Sequence, residues 1–364
     1  MDEARRVRVV GAVLLGIVLI MLVAAPVGAQ LQIESKSGDQ SIKVGFLVQG
    51  RLETLDSVDG SDTSQDLYLR RLRLLAGGQV MKNLSFFFET DSPNLGKGLP
   101  DGSKNSGDIF IQDFVLTYSF SRAFKLDGGL LLLPISYNSN VSATALLPPD
   151  YGPFSFQASA PTTSRVGRDY GILARGYLLN DHLEYRAGLL QGFRGDDSSE
   201  PFRTFARVAW YPFEALTGLF YTGTSLGTKH ILSLGASYDV QDDYRSWAVD
   251  LFWDRPVGSG DSFTVQLDYL DQDGGDFLPE FRAQVNTLVE LGWYFHRLKL
   301  SPFVQWARDD FDDRSLADED RLQVGLAWFA KGHNLNVKLG YGWLQRDDLD
   351  DRNQVILQCQ VFMF

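Results

Sequence analysis

The sequence predicts an all-β protein, a transmembrane antiparallel up-and-down β-barrel of sixteen strands, and three observations predict it. Apolar and polar residues alternate with period two in segments of about 9–12 residues, long enough for a tilted strand to cross a bilayer, whereas soluble strands average about 5–6. The tryptophans (Trp210, Trp247, Trp253, Trp293, Trp306, Trp328 and Trp343) fall on the apolar faces, mostly near segment ends, where an interfacial girdle would sit. The connections alternate between a short set and a longer, mostly acidic set, as the two rims of a membrane barrel require.

The chain opens with "MDEARRVRVVGAVLLGIVLIMLVAAPVGAQ": a basic start (Arg5, Arg6, Arg8), an apolar stretch from Val9 to Val23, and a small-residue exit at Val27-Gly28-Ala29. That is the layout of a secretory signal peptide over residues 1–29, cleaved after Ala29. No Pro/Ser-rich linker or composition break divides residues 30–364, which read as one barrel domain. No apolar run of 18 residues follows the leader, which excludes helical spans.

Strands are expected at 41–51, 66–78, 84–91, 109–120, 124–134, 168–178, 181–191, 203–211, 230–239, 244–254, 261–270, 284–295, 298–308, 320–330, 334–345 and 353–364. "SFTVQLDYL" shows the pattern: Phe263, Val265, Leu267 and Tyr269 share one face, Ser262, Thr264, Gln266 and Asp268 the other. "SRA", "LND" and "KGH" are short turns; "SVDGSDTSQ", "GFRGDDSSEP" and "DDFDDRSLADED" belong to the long set. The connection from Glu214 to Thr228 breaks the rule by being long where a short turn is due. A membrane-spanning sheet must close without a free edge, so the last strand is expected to pair with the first, near "SIKVGFLVQGR". Phe362 and Phe364 fall on the face of Gln358 and Gln360, opposite Val355, Leu357, Cys359, Val361 and Met363. That points to a register-resetting bulge or to residues facing the membrane interface.

The net charge of −12 argues against a nucleic-acid partner. The single Cys359 permits no internal disulfide. His182, His230, His296 and His333 lie far apart, so no metal and no cofactor is expected. No G-x-S-x-G or phosphate-loop motif occurs, and nothing marks a serine partner for His182 or His296, so an enzyme is not expected. "DQDGGDFLPE" begins like a calcium loop but has Arg282 where a bidentate Glu is needed. The acidic runs read as solvated loops, or as divalent-cation bridges to lipopolysaccharide.

Arginine forks match phosphate and carboxylate oxygens, so lumen-facing arginines are the candidate anion contacts. The inward registers hold Arg71, Arg73, Arg175, Arg186 and Arg207; Arg165 and Arg168 lie at the exit of the long connection Ser136–Val166. The competing reading pairs them with Glu89, Asp113, Glu184 and Asp250 to brace the wall.

"GRDYGILARGYLLNDHLEYRAGLLQGF" (Gly167–Phe193), "LYLRRLRLLAGGQV", "KLDGGLLLLPIS" and "AKGHNLNVKLGY" resemble, in order, stretches of the phosphate-selective porins O and P. The resemblance implies a sixteen-stranded, trimeric outer-membrane barrel that passes small ions and solutes, phosphate or other anions among them. It also implies that Ser136–Val166 folds inward as a constriction loop, and that the assembly machinery reads the terminal strand through Phe364. Leu130–Leu133 replace polar or basic residues of the family pattern, and acidic outer loops repel anions, so weak selectivity is expected. A secreted soluble β-sheet binding module and a non-conducting barrel acting as adhesin or scaffold stay open as alternatives.

Overall fold

Period-two alternation yields sixteen strands in the computed structural model, which describes residues 31–364 except 59 and 61. The leader expected over 1–29 lies outside the described residues. The wall strands are β1 (Ser41–Asp56), β2 (Thr63–Met81), β3 (Leu84–Asp91), β4 (Phe110–Ser119), β5 (Lys125–Leu132), β6 (Arg168–Leu178), β7 (Leu183–Leu190) and β8 (Arg203–Trp210). They continue as β9 (Ile231–Gln241), β10 (Tyr244–Val257), β11 (Asp261–Asp273), β12 (Gln284–Tyr294), β13 (Leu300–Phe311), β14 (Glu319–Trp328), β15 (Leu335–Arg346) and β16 (Arg352–Met363). The four-residue pieces Leu31–Glu34 and Ala330–His333 are too short to cross a bilayer.

Each wall strand pairs with its chain neighbours, and β16 pairs with β1 from Gln354↔Leu55 to Met363↔Phe46. The sheet therefore closes and leaves no row of unpaired backbone groups, the condition for crossing lipid. At this seam a Cβ on Gly45 would lie 2.0 Å from the Met363 carbonyl oxygen, so only glycine lets the terminal strand approach. The first hairpin is longer than expected, because β1 and β2 stay paired out to Asp56↔Thr63.

Alternation also sorts the environments. On β9, Ser233, Ser237, Asp239 and Gln241 point inward, while Leu232, Leu234, Ala236, Tyr238 and Val240 point outward. Around the barrel the outer face exposes Val249, Leu267, Leu291, Val304, Leu326, Leu339 and Val361. These residues are the apolar belt that hydrocarbon would cover.

The last strand departs from both expectations. Its register with β1 runs without a shift, so no bulge intervenes, and Phe362 and Phe364 turn into the lumen instead of toward the membrane interface. There they pack with Leu47, Leu75 and Ala143. The ring of Phe364 meets Phe87 edge-on at 5.9 Å.

Most connections obey the two-rim rule, with two exceptions. On the long-loop rim β9 and β10 are joined by Asp242-Asp243 alone, and on the short-turn rim the connection from Tyr211 to His230 is long. Two segments fold into the barrel, Ser136–Val166 from the long-loop rim and Tyr211–His230 from the other. Ser136–Val166 bonds to wall strands far apart in sequence. Gln49 and Gln360 donate to the Ala143 and Thr144 carbonyls, and Lys338 to those of Leu146 and Pro148. Across the lumen, the Asn138 backbone N–H donates to Asp268 and its side-chain amide to Glu290. The lumen is consequently almost filled: Lys338, Gln358 and Gln360 are all 0% exposed.

Candidate functional site: arginines around Asp150

A β-bulge builds the site. The β1–β2 register slips between Gln49↔Arg71 and Gly50↔Leu69, which leaves Arg70 as the extra residue. The slip lets two successive side chains, Arg70 and Arg71, reach the same group, which strict alternation forbids. That group is Asp150 at the tip of the constriction loop. Arg71 Nη2 lies 2.8 Å from its carboxylate, Arg70 Nη2 3.1 Å and Arg51 Nη2 2.6 Å. Gln358 Oε1 accepts from Arg51 and Gln49 Oε1 from Arg71, which fixes both forks against the wall. Burial alone would push the Asp150 carboxyl up, but Arg51, Arg70 and Arg71 outweigh it and hold it well below the usual carboxylate range.

Asp150 borders a cavity of about 330 Å³, also lined by Arg51, Arg70, Arg71, Arg73, Arg168, Arg321 and Asp91. Arg73 is taken up by Glu89 (2.5 Å) and Asp91 (2.8 Å), and Arg168 by Asp113 (3.1 Å). Arg321 pairs with Glu319 at 2.5 Å. At Asp150, three guanidiniums share one carboxylate, and among the described residues only Arg51 has a second acid within ion-pair distance, Glu53 at 3.6 Å. Positive charge is therefore in surplus here.

The expected arginines divide into three sets. Arg71, Arg73 and Arg168 line the cavity. Arg175 is bound to Asp127 (2.5 Å), Arg186 to Glu184 (2.7 Å) and Arg207 to Asp250 (2.6 Å), all buried along the wall. Arg165 is exposed and lies over the Phe110 ring at 4.2 Å. Sequence reasoning missed Arg51, Arg70, Arg203, Arg321 and Asp150. Arg51 shares its face with Leu47 and Gln49, so simple alternation could have found it. Arg70 is hidden by the bulge, and Asp150 by the loop.

The architecture is a closed barrel with a loop across its lumen, and the profile of the phosphate-selective porins O and P matches residues 42–268. The chain belongs to that family. A curated relative, an uncharacterized protein of Aquifex aeolicus (strain VF5), is 28% identical over 148 residues, 41% of this chain and 32% of the relative. The match thus spans about a third of that relative's length. Solved structures share the fold of this family member at low identity. OmpF of Salmonella typhi, in complex with daunomycin, superposes with a TM-score of 0.62 at 14% identity, covering 91% of this chain and 100% of that one. The anion-selective porin from Comamonas acidovorans gives 0.59 at 12%, covering 89% and 100%. OmpT of Vibrio cholerae, in its trimer form, gives 0.55 at 10%, covering 89% and 100%.

Proposed function

We propose that this barrel is a passive channel of the outer membrane, through which small hydrophilic solutes and ions diffuse past the Asp150 cluster with a modest preference for anions. The observation that carries the reading is three guanidiniums converging on one carboxylate beside the main lumen cavity of a closed, lipid-facing barrel. An ion entering a narrow pore loses hydration, and wall charges must offset that loss. Arg51, Arg70, Arg71 and the cavity-lining Arg73 and Arg168 supply such charges, with Asp150, Asp91 and Asp113 keeping the field mild. Arg175, Arg186 and Arg207 brace the wall, and Arg165 serves as an outer contact.

In the same reading the short-turn rim faces the periplasm, and the leader ending near Ala29 directs export. Phe364 is read by the barrel assembly machinery before its ring is buried against Phe87. The outer face meets lipid, lipopolysaccharide and two further copies of the chain. No catalytic role, metal or cofactor is part of it.

Purified protein in a planar bilayer with a potassium chloride gradient tests the reading. The expected result is stepwise single-channel current with a reversal potential displaced modestly toward chloride. A barrel that inserts but never conducts overturns it.

The depressed titration of Asp150 adds a pH prediction. A carboxylate held below its free value of about 3.9 keeps its pinning contribution above that pH and loses it only as the pH falls past its own lower value. The selectivity difference between the native protein and Asp150→Asn should therefore stay constant from pH 7 to about 4. A difference that fades by pH 5 would show that the three arginines do not hold the carboxylate as described.

A further inference from the structure

Tyr211–His230 is the long connection on the rim where a short turn suffices, and it spreads over the lumen instead of hanging free. Its stem is fixed. The Tyr211 N–H donates to the His182 carbonyl, the Glu214 N–H to the His230 carbonyl, and the rings of Phe213 and His230 stack at 3.9 Å. From this stem the tip reaches widely separated wall strands. Phe220 meets Phe87 of β3 edge-on at 5.5 Å, and the Thr224 carbonyl lies 3.0 Å from His333 Nε2 beside β15. Leu226 packs against the cluster formed by Leu147 of the constriction loop with Tyr294, Phe303, Ala327 and Phe329. A segment that touches β3, β12, β13 and the β14–β15 turn lies across the mouth as a floor.

Beneath the constriction loop this floor closes off the side of the lumen that carries paired charges. Arg168–Asp113 borders the main cavity. Below it a separate void of about 20 Å³ is lined by Asp113, Asp127, Arg186, Leu219 and Phe220. The polar wall thus descends from the main cavity to two apolar floor residues and stops there. The other lining residues of that void all belong to wall strands and none to the constriction loop, so lifting Leu219 and Phe220 would open it toward the short-turn rim.

The floor is held by individual hydrogen bonds and ring contacts, among them the Ser225 N–H to Asp254 of β10 and the Tyr137–Tyr221 stack, rather than by a strand ladder. One parallel bridge, Val141↔Tyr221, joins it to the constriction loop, with the Tyr221 N–H donating to the Asn140 carbonyl (2.8 Å) and the Ser142 N–H to the Tyr221 carbonyl (3.0 Å). The Gly223 N–H adds a bond to Ala145, and Tyr137 Oη donates to the Thr222 carbonyl. The Tyr221 hydroxyl donates to Glu184, and Arg186 donates to the Leu219 carbonyl. These are local side-chain and one-residue contacts, with no ladder pairing the tip to a wall strand. Thr217, Gly218, Thr228 and Lys229 are exposed on its far side.

From this geometry we propose that residues 215–229 gate the channel: the tip swings on its Tyr211–Glu214/His230 stem, and Leu219 and Phe220 close the periplasmic mouth in the conformation described here. The proposal rests on the channel reading, and the test separates the two. In full-length protein with Cys359→Ser, the pair Val141→Cys and Tyr221→Cys joins parallel-bridge partners, and neighbouring strands about 4.8 Å apart put such a pair within disulfide reach. The oxidised protein should show open probability about tenfold below that of the same sample after reductant, a 1.4 kcal/mol shift in the open–closed balance. The variant Leu219→Ala/Phe220→Ala, which leaves the stem and loop bridge intact, should raise open probability or conductance severalfold. Equal currents before and after reduction, with no gain in Leu219→Ala/Phe220→Ala, overturn the gate while leaving a conducting channel. Silence of every variant and of the native barrel overturns the channel reading itself.

Discussion

Asp150→Asn is expected to raise the anion-over-cation permeability ratio about tenfold, a change worth about 1.4 kcal/mol in the barrier difference between the two ions. Three guanidiniums converge on the Asp150 carboxylate at 2.6–3.1 Å. Removing that one negative charge leaves Arg51, Arg70 and Arg71 facing each other and the cavity. Unit charges about 4 Å apart at an effective dielectric near 20 interact by about 4 kcal/mol, so a tenfold change takes only part of the available field. Asp150 is partly open, with 28% of its side chain exposed, and salt will screen the remainder. The measurement is the reversal potential in a salt gradient, repeated at low and high ionic strength. Asp150→Glu keeps the charge and should stay near the native value. A reversal potential unmoved in Asp150→Asn would show that ions do not pass this cluster.

The contrast between Arg71 and Arg70 explains what the sequence could and could not disclose. All sixteen wall strands were legible because a wall residue faces either hydrocarbon or lumen, so its chemistry reports its register directly. Arg71 and Arg73 follow from that rule. Arg70 does not, since a bulge obeys the local ladder, and no composition marks it. The four acids Glu89, Asp113, Glu184 and Asp250 were readable as inward, and the structure pairs each with an expected arginine. Asp150 and Phe220 were opaque for a different reason. Each acts from an irregular segment, where side-chain direction has no period and partners lie up to a barrel diameter away. Phe362 and Phe364 were readable as inward, but the premise that aromatic ends seek the membrane interface argued against it. A lumen filled by a loop and a floor offers apolar cover on its inside, and Leu47, Leu75 and Phe87 supply it.

The largest loss of stability is expected from Arg203→Met. Arg203 is 1% exposed, yet it is an ion, and its surroundings are built around that charge. Its Nε donates to Asp239 Oδ1 at 2.7 Å, and Nη2 donates to the other carboxylate oxygen. Nη1 donates to the Thr162 hydroxyl at 3.1 Å and lies 3.5 Å from Asp169. One guanidinium therefore compensates two buried carboxylates and ties the exit of the constriction loop to the wall. A methionine of similar length fills the space but strands both acids. Breaking a buried pair from one side costs about 3–5 kcal/mol, because the remaining charge has neither water nor partner. Asp169 has other support, since the Gly192 and Tyr170 N–H groups donate to it; Asp239 keeps only the Tyr244 hydroxyl. The added replacement Asp239→Leu should therefore recover more than half of the loss, whereas Asp169→Leu in its place should recover little. Urea unfolding in lipid vesicles, followed by the heat-modifiable gel shift, measures all four proteins, and adding Asp239→Leu alone closes the double-mutant cycle that isolates the pair. If Arg203→Met alone moved the midpoint no more than a surface substitution does, water would have to reach Asp239. The filled lumen described here would then be wrong at its most enclosed ion pair.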